Sequence, residues 1–268
     1  MSTFATDGAT GPGLPLTGER TVPGLAVENY WFRRHEVVYQ RLAHHCAGRD
    51  VLEAGFGEGY GADLLAERAR SVIGVDYDES AVAHARARYP RVRAVHGNLT
   101  ALPLPDASVD IVVNFQVIEH LWDQPHFVAE CRRVLRPGGL LLMSTPNRIT
   151  FTPGSDTPVN PFHTRELNAA ELTELLVAGG FAVQSMQGVF HGPRLRELDA
   201  RHGGSIIDAQ IARALADAPW PEDLLADVAG ITTGDFDLAG EPTGDENGGP
   251  EGRSIDASLD LVATAVRL

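Results

Sequence analysis

The feature that most constrains this chain is an alternation, from residue 50 to residue 144, of short apolar runs with amphipathic stretches. Asp50-Val-Leu-Glu-Ala-Gly55, Ser71-Val-Ile-Gly-Val-Asp76, Val92 to His96, Val109-Asp-Ile-Val-Val-Asn114 and Leu140 to Ser144 read as strands. Helical spacing fills about 60–68, 79–89 and 124–135 between them. Strands separated by helical crossovers run parallel, which predicts a doubly wound α/β sheet with a helix layer on each face. Leu140-Leu-Leu-Met143 is apolar on both faces, as a central parallel strand should be. A further helix over about 168–178 stops at Gly179-Gly180, and strand character returns over Phe181 to Phe190 and Leu259 to Val266.

At 268 residues the chain suits one such domain with additions. Residues 1–18 read as a flexible tail with nothing to bury, 19–48 as an N-terminal helical cap and 49–192 as the core. Residues 193–256 read as a helical insert with a disordered Gly/Pro/acid loop at about 240–254, and 257–268 as the final core strand. The formal net charge of -14 repels a phosphate backbone, so nucleic acid is not an expected partner. Cys46 and Cys131 have no partner at metal or redox spacing and read as small buried hydrophobes. No signal-like start and no run near the roughly 20 apolar residues that span a bilayer is visible, so the chain is expected to be cytoplasmic.

Glu53-Ala-Gly55-Phe-Gly57-Glu-Gly59-Tyr-Gly61 follows the first strand and opens a helix, where a doubly wound sheet places its ligand. The third glycine of a dinucleotide fingerprint would fall at Tyr60, which disfavours a pyrophosphate. Asp76 ends the second strand about twenty residues beyond the first glycine, where a carboxylate can accept both ribose hydroxyls. Glu53 faces the same crevice, and Asn98 and Leu99, just past the third strand, are placed to take an adenine amino group and pack on its ring. This ordered set resembles the class I S-adenosylmethionine (SAM)-dependent methyltransferases, in the branch with Val51 to Gly59, Leu102-Pro-Leu-Pro-Asp106 and Val134-Leu-Arg-Pro-Gly-Gly139. The resemblance implies SAM as cofactor, a seven-stranded sheet whose last strand is antiparallel, and a lid role for the insert. Glu53 stands where that family more often has Asp.

SAM carries its own activation, so the residues beyond the fourth strand decide the reaction. Asn114-Phe-Gln-Val117 is not the Asn/Asp-Pro-Pro-Tyr/Phe pattern of resembling amino-methylating enzymes, which favours oxygen as acceptor. Gln116, Glu119 and His120 are spaced i, i+3 and i+4, so one helical turn would put them on one face, with Gln116 toward the cofactor and His120 suited to act as base. Val117-Ile-Glu-His120 is similar to the family motif in which two Glu, the adjacent His and a distant His hold a divalent ion. Here Gln116 replaces the first Glu, and the distant histidine is His163 or, less favourably placed, His191. Mg²⁺-assisted deprotonation by a Glu119, His120 and His163 site, metal-free base catalysis by His120 with Glu119, and a purely structural role for the trio all remain open.

On the acceptor side, Tyr30 is expected to reach SAM and Trp31 to stack on a sugar face, with His191, Arg194 and Arg201 binding hydroxyls. His35, His44, His45, His84 and His126 are expected on helix surfaces. Motifs at Thr17-Gly-Glu-Arg20, Glu28 to His35, Asn114 to Asp123 and Phe190 to Leu195 are similar to those of sugar O-methyltransferases. That likeness implies a small sugar acceptor, the 1-hydroxyl of a short, partly methylated mannoside. A quinone or phenolic acceptor and a non-catalytic SAM-binding protein are the alternatives.

Overall fold

The structure, a computed structural model, describes residue 14 and residues 20–216, 219–240 and 253–268. Most of the expected tail and most of the loop expected at 240–254 lie outside the described residues. Leu14, inside that tail, is buried against the core, so this stretch does have something to bury.

Helix α1 (Asn29–Leu42) precedes β1 (Asp50–Ala54), and α2 (Tyr60–Ala66), β2 (Ser71–Asp76), α3 (Glu79–Arg88), β3 (Val92–His96) and β4 (Val109–Phe115) follow. Then come α4 (Gln124–Val134), β5 (Leu135–Pro146), a four-residue α5 (Arg148–Phe151), α6 (Ala169–Ala178) and β6 (Phe181–His191). Three helices, α7 (Pro193–Arg201), α8 (Ile206–Ala216) and α9 (Glu222–Ala229), and the strands β7 (Phe236–Gly240) and β8 (Asp260–Arg267) complete the chain. The strand order is β3-β2-β1-β4-β5-β8-β6-β7. β1 to β5 are parallel, and β8 enters between β5 and β6, antiparallel to both.

The sheet therefore has eight strands and not the implied seven. β7 adds antiparallel to the outer edge of β6, His191 opposite Phe236, and so pairs an edge that would otherwise be open. Its five residues alternate too briefly for the sequence pattern to single them out. Pro137-Gly-Gly139, read as a turn, is absorbed into β5 as an irregularity where the register with β4 shifts between Val109 and Ile111.

Alternate residues feed two apolar clusters, one on each face: Val51, Ile111 and Leu142 on one, Leu52, Val112 and Leu141 on the other. The first cluster takes α1 and the helices after β6, through Val37, Val38, Leu195, Leu224 and Val228. The second takes α4 and α6, through Phe127, Cys131, Leu172 and Leu176. Asn29 Nδ2 donates to the carbonyls of Val228 (2.9 Å) and Ile231 (2.9 Å), which docks the end of α9 on the start of α1. Because β1 pairs with both β2 and β4, the strand order reverses between β1 and β4. The crevice that such a reversal opens at the carboxyl ends is where α/β sheets bind ligands. Among the described residues no helix is long and apolar enough to cross a membrane.

Candidate active site

The glycine loop after β1 forms one wall of that crevice. Gly55 has φ +84°, a region closed to most side chains, and a Cβ there would lie 2.7 Å from the Val117 methyls of the opposite wall. Asp76, at the end of β2, accepts from Gly57 N–H (2.8 Å) with one carboxylate oxygen and from Asp78 N–H (2.9 Å) with the other. Burial raises its pKa, and these two bonds oppose the rise. Glu53, wholly buried, accepts from the Tyr39 hydroxyl at 2.5 Å. Burial, helped by the Asp76 charge, pushes this carboxyl up to about 8. Its second oxygen is buried without a hydrogen-bond partner among the described residues. Arg20 lies over Gly57, ion-paired with Asp78 at 2.6 Å, and its Nη1 is likewise buried and unpartnered there. In the sequence Arg20 stands out only as the end of the Thr17-Gly-Glu-Arg20 motif; its position over the loop comes from the structure. Leu99 is buried beside this crevice, while the Asn98 side-chain oxygen accepts from Thr100 N–H and Oγ1 (both 2.9 Å) in a tight turn.

The opposite wall is built by the chain leaving β4. Gln116 adopts φ +57°, rare for a residue with a side chain, and its amide donates to Ser144 O at 2.9 Å. After this bend Ile118–His120 form a single 3-10 turn. The expected helical turn is thus absent: Gln116 points to Ser144 Oγ (3.3 Å) and does not share a face with Glu119 and His120. The physical reason is the positive φ, which breaks the helical period at its first member.

Glu119, His120 and His163 do come together, one ligand atom of each lying within 4.8 Å of the others. Glu119 is buried, accepts from Thr145 Oγ1 at 2.9 Å, and is pushed up to about 7 by burial against the opposing pull of His163. His120 Nδ1 donates to the Phe162 carbonyl (3.0 Å), which makes Nε2 the acceptor nitrogen, 4.0 Å from Glu119 Oε1. His163 Nδ1 donates to Glu166 Oε1 (2.6 Å), and its Nε2 accepts from Asn160 Nδ2 (3.1 Å). The two rings meet edge to face, 4.9 Å apart. Thr164 clamps the turn, donating from N–H to Glu119 O (2.7 Å) and from Oγ1 to Leu121 O (2.8 Å).

Other expected site residues are committed elsewhere. Tyr30 is fully buried with its hydroxyl 2.7 Å from His191 Nε2, and His191 Nδ1 donates to Asp199 (2.7 Å). This chain joins α1 to α7 and does not turn Tyr30 toward the glycine loop. Trp31 packs edge-on to Tyr30 (5.1 Å) under the Arg34 guanidinium (5.6 Å). Arg194 donates to Gly230 O and Asp235 (both 2.8 Å), and Arg201 to Asp227 (2.7 Å), so both tie the helices after β6 to one another. His35, expected on a surface, is turned inward; burial lowers it to about 4 against the Asp260 charge, with His120 adding to the lowering. His84 is also inward, 2.7 Å from the buried Glu58 of the glycine loop.

A methyltransferase-domain family model matches residues 52–143. A protein of Mycolicibacterium smegmatis named as a probable S-adenosylmethionine-dependent methyltransferase is 73% identical over 261 residues, 97% of this chain and 98% of that one. The chain belongs to the SAM-dependent methyltransferases. A ubiquinone biosynthesis O-methyltransferase of Rhizobium johnstonii is 31% identical over 168 residues, covering 57% of this chain and 68% of its own. The methyltransferase also shares its fold with a solved SAM-dependent methyltransferase of Mesorhizobium loti, TM-score 0.52 at 17% identity over 86% of this chain and 98% of that one. SAM suits the crevice between the two walls. The unpartnered Glu53 oxygen could take its ammonium, the Arg20 Nη1 its carboxylate, and the second lone pairs of Asp76 its ribose hydroxyls.

Proposed function

We propose that the methyltransferase transfers the methyl group of SAM to a sugar hydroxyl, the 1-hydroxyl of a short, partly methylated mannoside, with His120 as base. The observation that carries this reading is the cluster of Glu119, His120 and His163 across the crevice from the glycine loop, with each imidazole anchored through its Nδ1–H to an acceptor outside the trio. SAM supplies a methyl already activated by its sulfonium. His120 Nε2 accepts the hydroxyl proton as the new carbon–oxygen bond forms and the carbon–sulfur bond breaks, leaving a methyl ether and S-adenosylhomocysteine. Asp76, Glu53, Gly55, Gly57, Gly59, Arg20 and Leu99 hold the cofactor.

The same three side chains fit a divalent ion. Each imidazole donates its other ring N–H to a carboxylate or a carbonyl, the arrangement that fixes metal-binding histidines. Glu119 is a buried carboxyl whose ionised form a cation would stabilise. Mg²⁺ there would take most of its shell from water and neighbouring sugar oxygens and acidify a bound hydroxyl. Glu119, His120 and His163 would hold it; with its Nε2 on the ion, His120 would act through the bound hydroxyl and would not itself take the proton.

The motif likeness to sugar 1-O-methyltransferases of methylmannose polysaccharide synthesis supports the acceptor class. α7 to α9, docked on α1 through Asn29, then form the lid. A second reading, a quinone or phenolic acceptor, is favoured by the 31% identity to an enzyme named for ubiquinone biosynthesis. The test is transfer of labelled methyl from SAM to mannobiose, maltose and catechol after EDTA treatment, with and without Mg²⁺. Label on mannobiose is the expected result; full activity in EDTA leaves His120 as the base and removes the ion, activity that returns only with Mg²⁺ makes His120 its ligand, and label on catechol alone moves the assignment to the second reading. His120→Ala should lower transfer by about 10²–10⁴-fold while SAM affinity is kept. Unchanged transfer would remove His120 from the chemistry.

A further inference from the structure

We infer that Trp122, together with Phe162 of the segment bonded to His120, is the platform on which the acceptor's sugar ring stacks. The inference rests on the proposed sugar reading and deepens it. Single exposed hydrophobic residues are ordinary on protein surfaces and mean nothing by themselves. Trp122 differs in where it stands and in how it is held.

It is 91% exposed, more than any other large hydrophobic side chain among the described residues, yet it does not sit on a loose loop. Thr164 Oγ1 bonds Leu121 O at 2.8 Å, and Gln124 Nε2 bonds Ile118 O (3.0 Å) and Arg165 O (2.9 Å) on either side of it. Asp123 then caps α4 through His126 N–H at 3.0 Å. The backbone is thus pinned before and after an indole that the fold leaves in water.

Leu121 is extended, φ −90° and ψ 130°. Trp122 therefore stands two residues beyond His120, no more than about 7 Å from it along the chain. On the neighbouring segment Phe162, 44% exposed, offers its carbonyl to His120 Nδ1 at 3.0 Å. The two aromatics therefore belong to the two segments that meet at His120, and Thr164 locks those segments to each other. A sugar presents a polar rim and an apolar C–H face; an indole covers that face while the rim hydroxyls remain free to reach His120. Trp31, the other aromatic considered for this task, is already packed on Tyr30 and Arg34.

The test is steady-state methylation of mannobiose by the wild-type chain and by Trp122→Ala and Trp122→Phe, with SAM affinity and thermal midpoint measured in parallel. Trp122→Ala should raise the KM for mannobiose about tenfold or more, with kcat, SAM affinity and midpoint nearly unchanged, because the side chain supports no packing. Trp122→Phe should recover most of the loss. Quenching of tryptophan emission by mannobiose should be present in the wild type and absent in Trp122→Phe. If the wild type methylates mannobiose and Trp122→Ala keeps its KM, the platform is overturned while the sugar reading stands. An unchanged KM together with a shift in oligomeric state on sizing would overturn it in favour of a protein contact. No transfer to mannobiose by the wild type sinks the sugar reading itself, and this inference with it.

Discussion

Each oxygen of the Asp76 carboxylate already accepts one backbone N–H, from Gly57 and from Asp78, and keeps a second lone pair for a ligand. The same residue thus shapes the glycine loop and offers two acceptors to a diol. An Asn there would lose the charge and set an NH₂ donor against one of those two N–H groups. Asp76→Asn is expected to lower SAM affinity by about 10–100-fold, the worth of one to two charge-assisted hydrogen bonds, and to lower the thermal midpoint as well, because one loop N–H loses its acceptor; calorimetric titration with S-adenosylhomocysteine checks the affinity. A drop of less than twofold would mean that the ribose lies elsewhere. Glu58 shows the converse economy: it takes two contacts from the Tyr89 hydroxyl (2.7 and 2.9 Å) and one from His84, and so fixes the loop without touching the crevice.

Among the elements, α1 decides more than its amphipathic pattern announces. Arg34 donates to both oxygens of Asp260 (2.7 and 2.6 Å) and to Leu259 O (2.9 Å), tying α1 to the start of β8. Both side chains are buried, and each satisfies the other's charge. Breaking such a pair strands the remaining charge in a low-dielectric interior. Arg34→Met should therefore cost about 3–5 kcal/mol, and the double change with Asp260→Leu should recover much of it, as urea unfolding of the two variants would show. Equal losses in single and double variants would mean that packing, and not charge, is what Arg34 supplies. From the sequence Arg34 is only one residue of an N-terminal helical cap, since its partner lies 226 residues away.

At the scale of the whole molecule, two buried carboxyls couple folding to pH. Glu53 is pushed up to about 8 and Glu119 to about 7, both from a carboxyl value of 4.5. From about pH 4.5 to 8 the folded chain keeps protons that the unfolded chain has released. These two carboxyls make stability fall as pH rises through that window, since stability declines wherever the folded state binds more protons; His35, held at about 4, opposes the fall below its ordinary value of 6.5, so the net loss lies in the upper part of the window. Urea midpoints of the ligand-free chain should be higher at about pH 5.5 than at about pH 8. Glu53→Gln should flatten most of this slope and leave the share that belongs to Glu119. A midpoint that climbs over the same window would contradict the burial of Glu53.

Local chemistry was legible without coordinates. The strand and helix alternation, the glycine loop, the acid at the end of β2 and the pair Glu119-His120 are short-range patterns, written by backbone periodicity and by what a glycine permits. Distance in sequence hid the rest. β7 is too short to carry a period, the bend at Gln116 replaced an expected helical turn, and His35 turned inward because Asp260 and His120 arrive beside it from other elements. Tyr30 found its partner at the end of β6, and Arg194 and Arg201 found theirs in and just after α9, so their side chains were spent on packing the molecule together. The sequence by itself determined the class of fold and where its ligand crevice opens, because both follow from periodicity within a few residues. Which polar side chains face that crevice was decided only by the tertiary structure, because a buried polar group goes wherever the fold supplies it a partner.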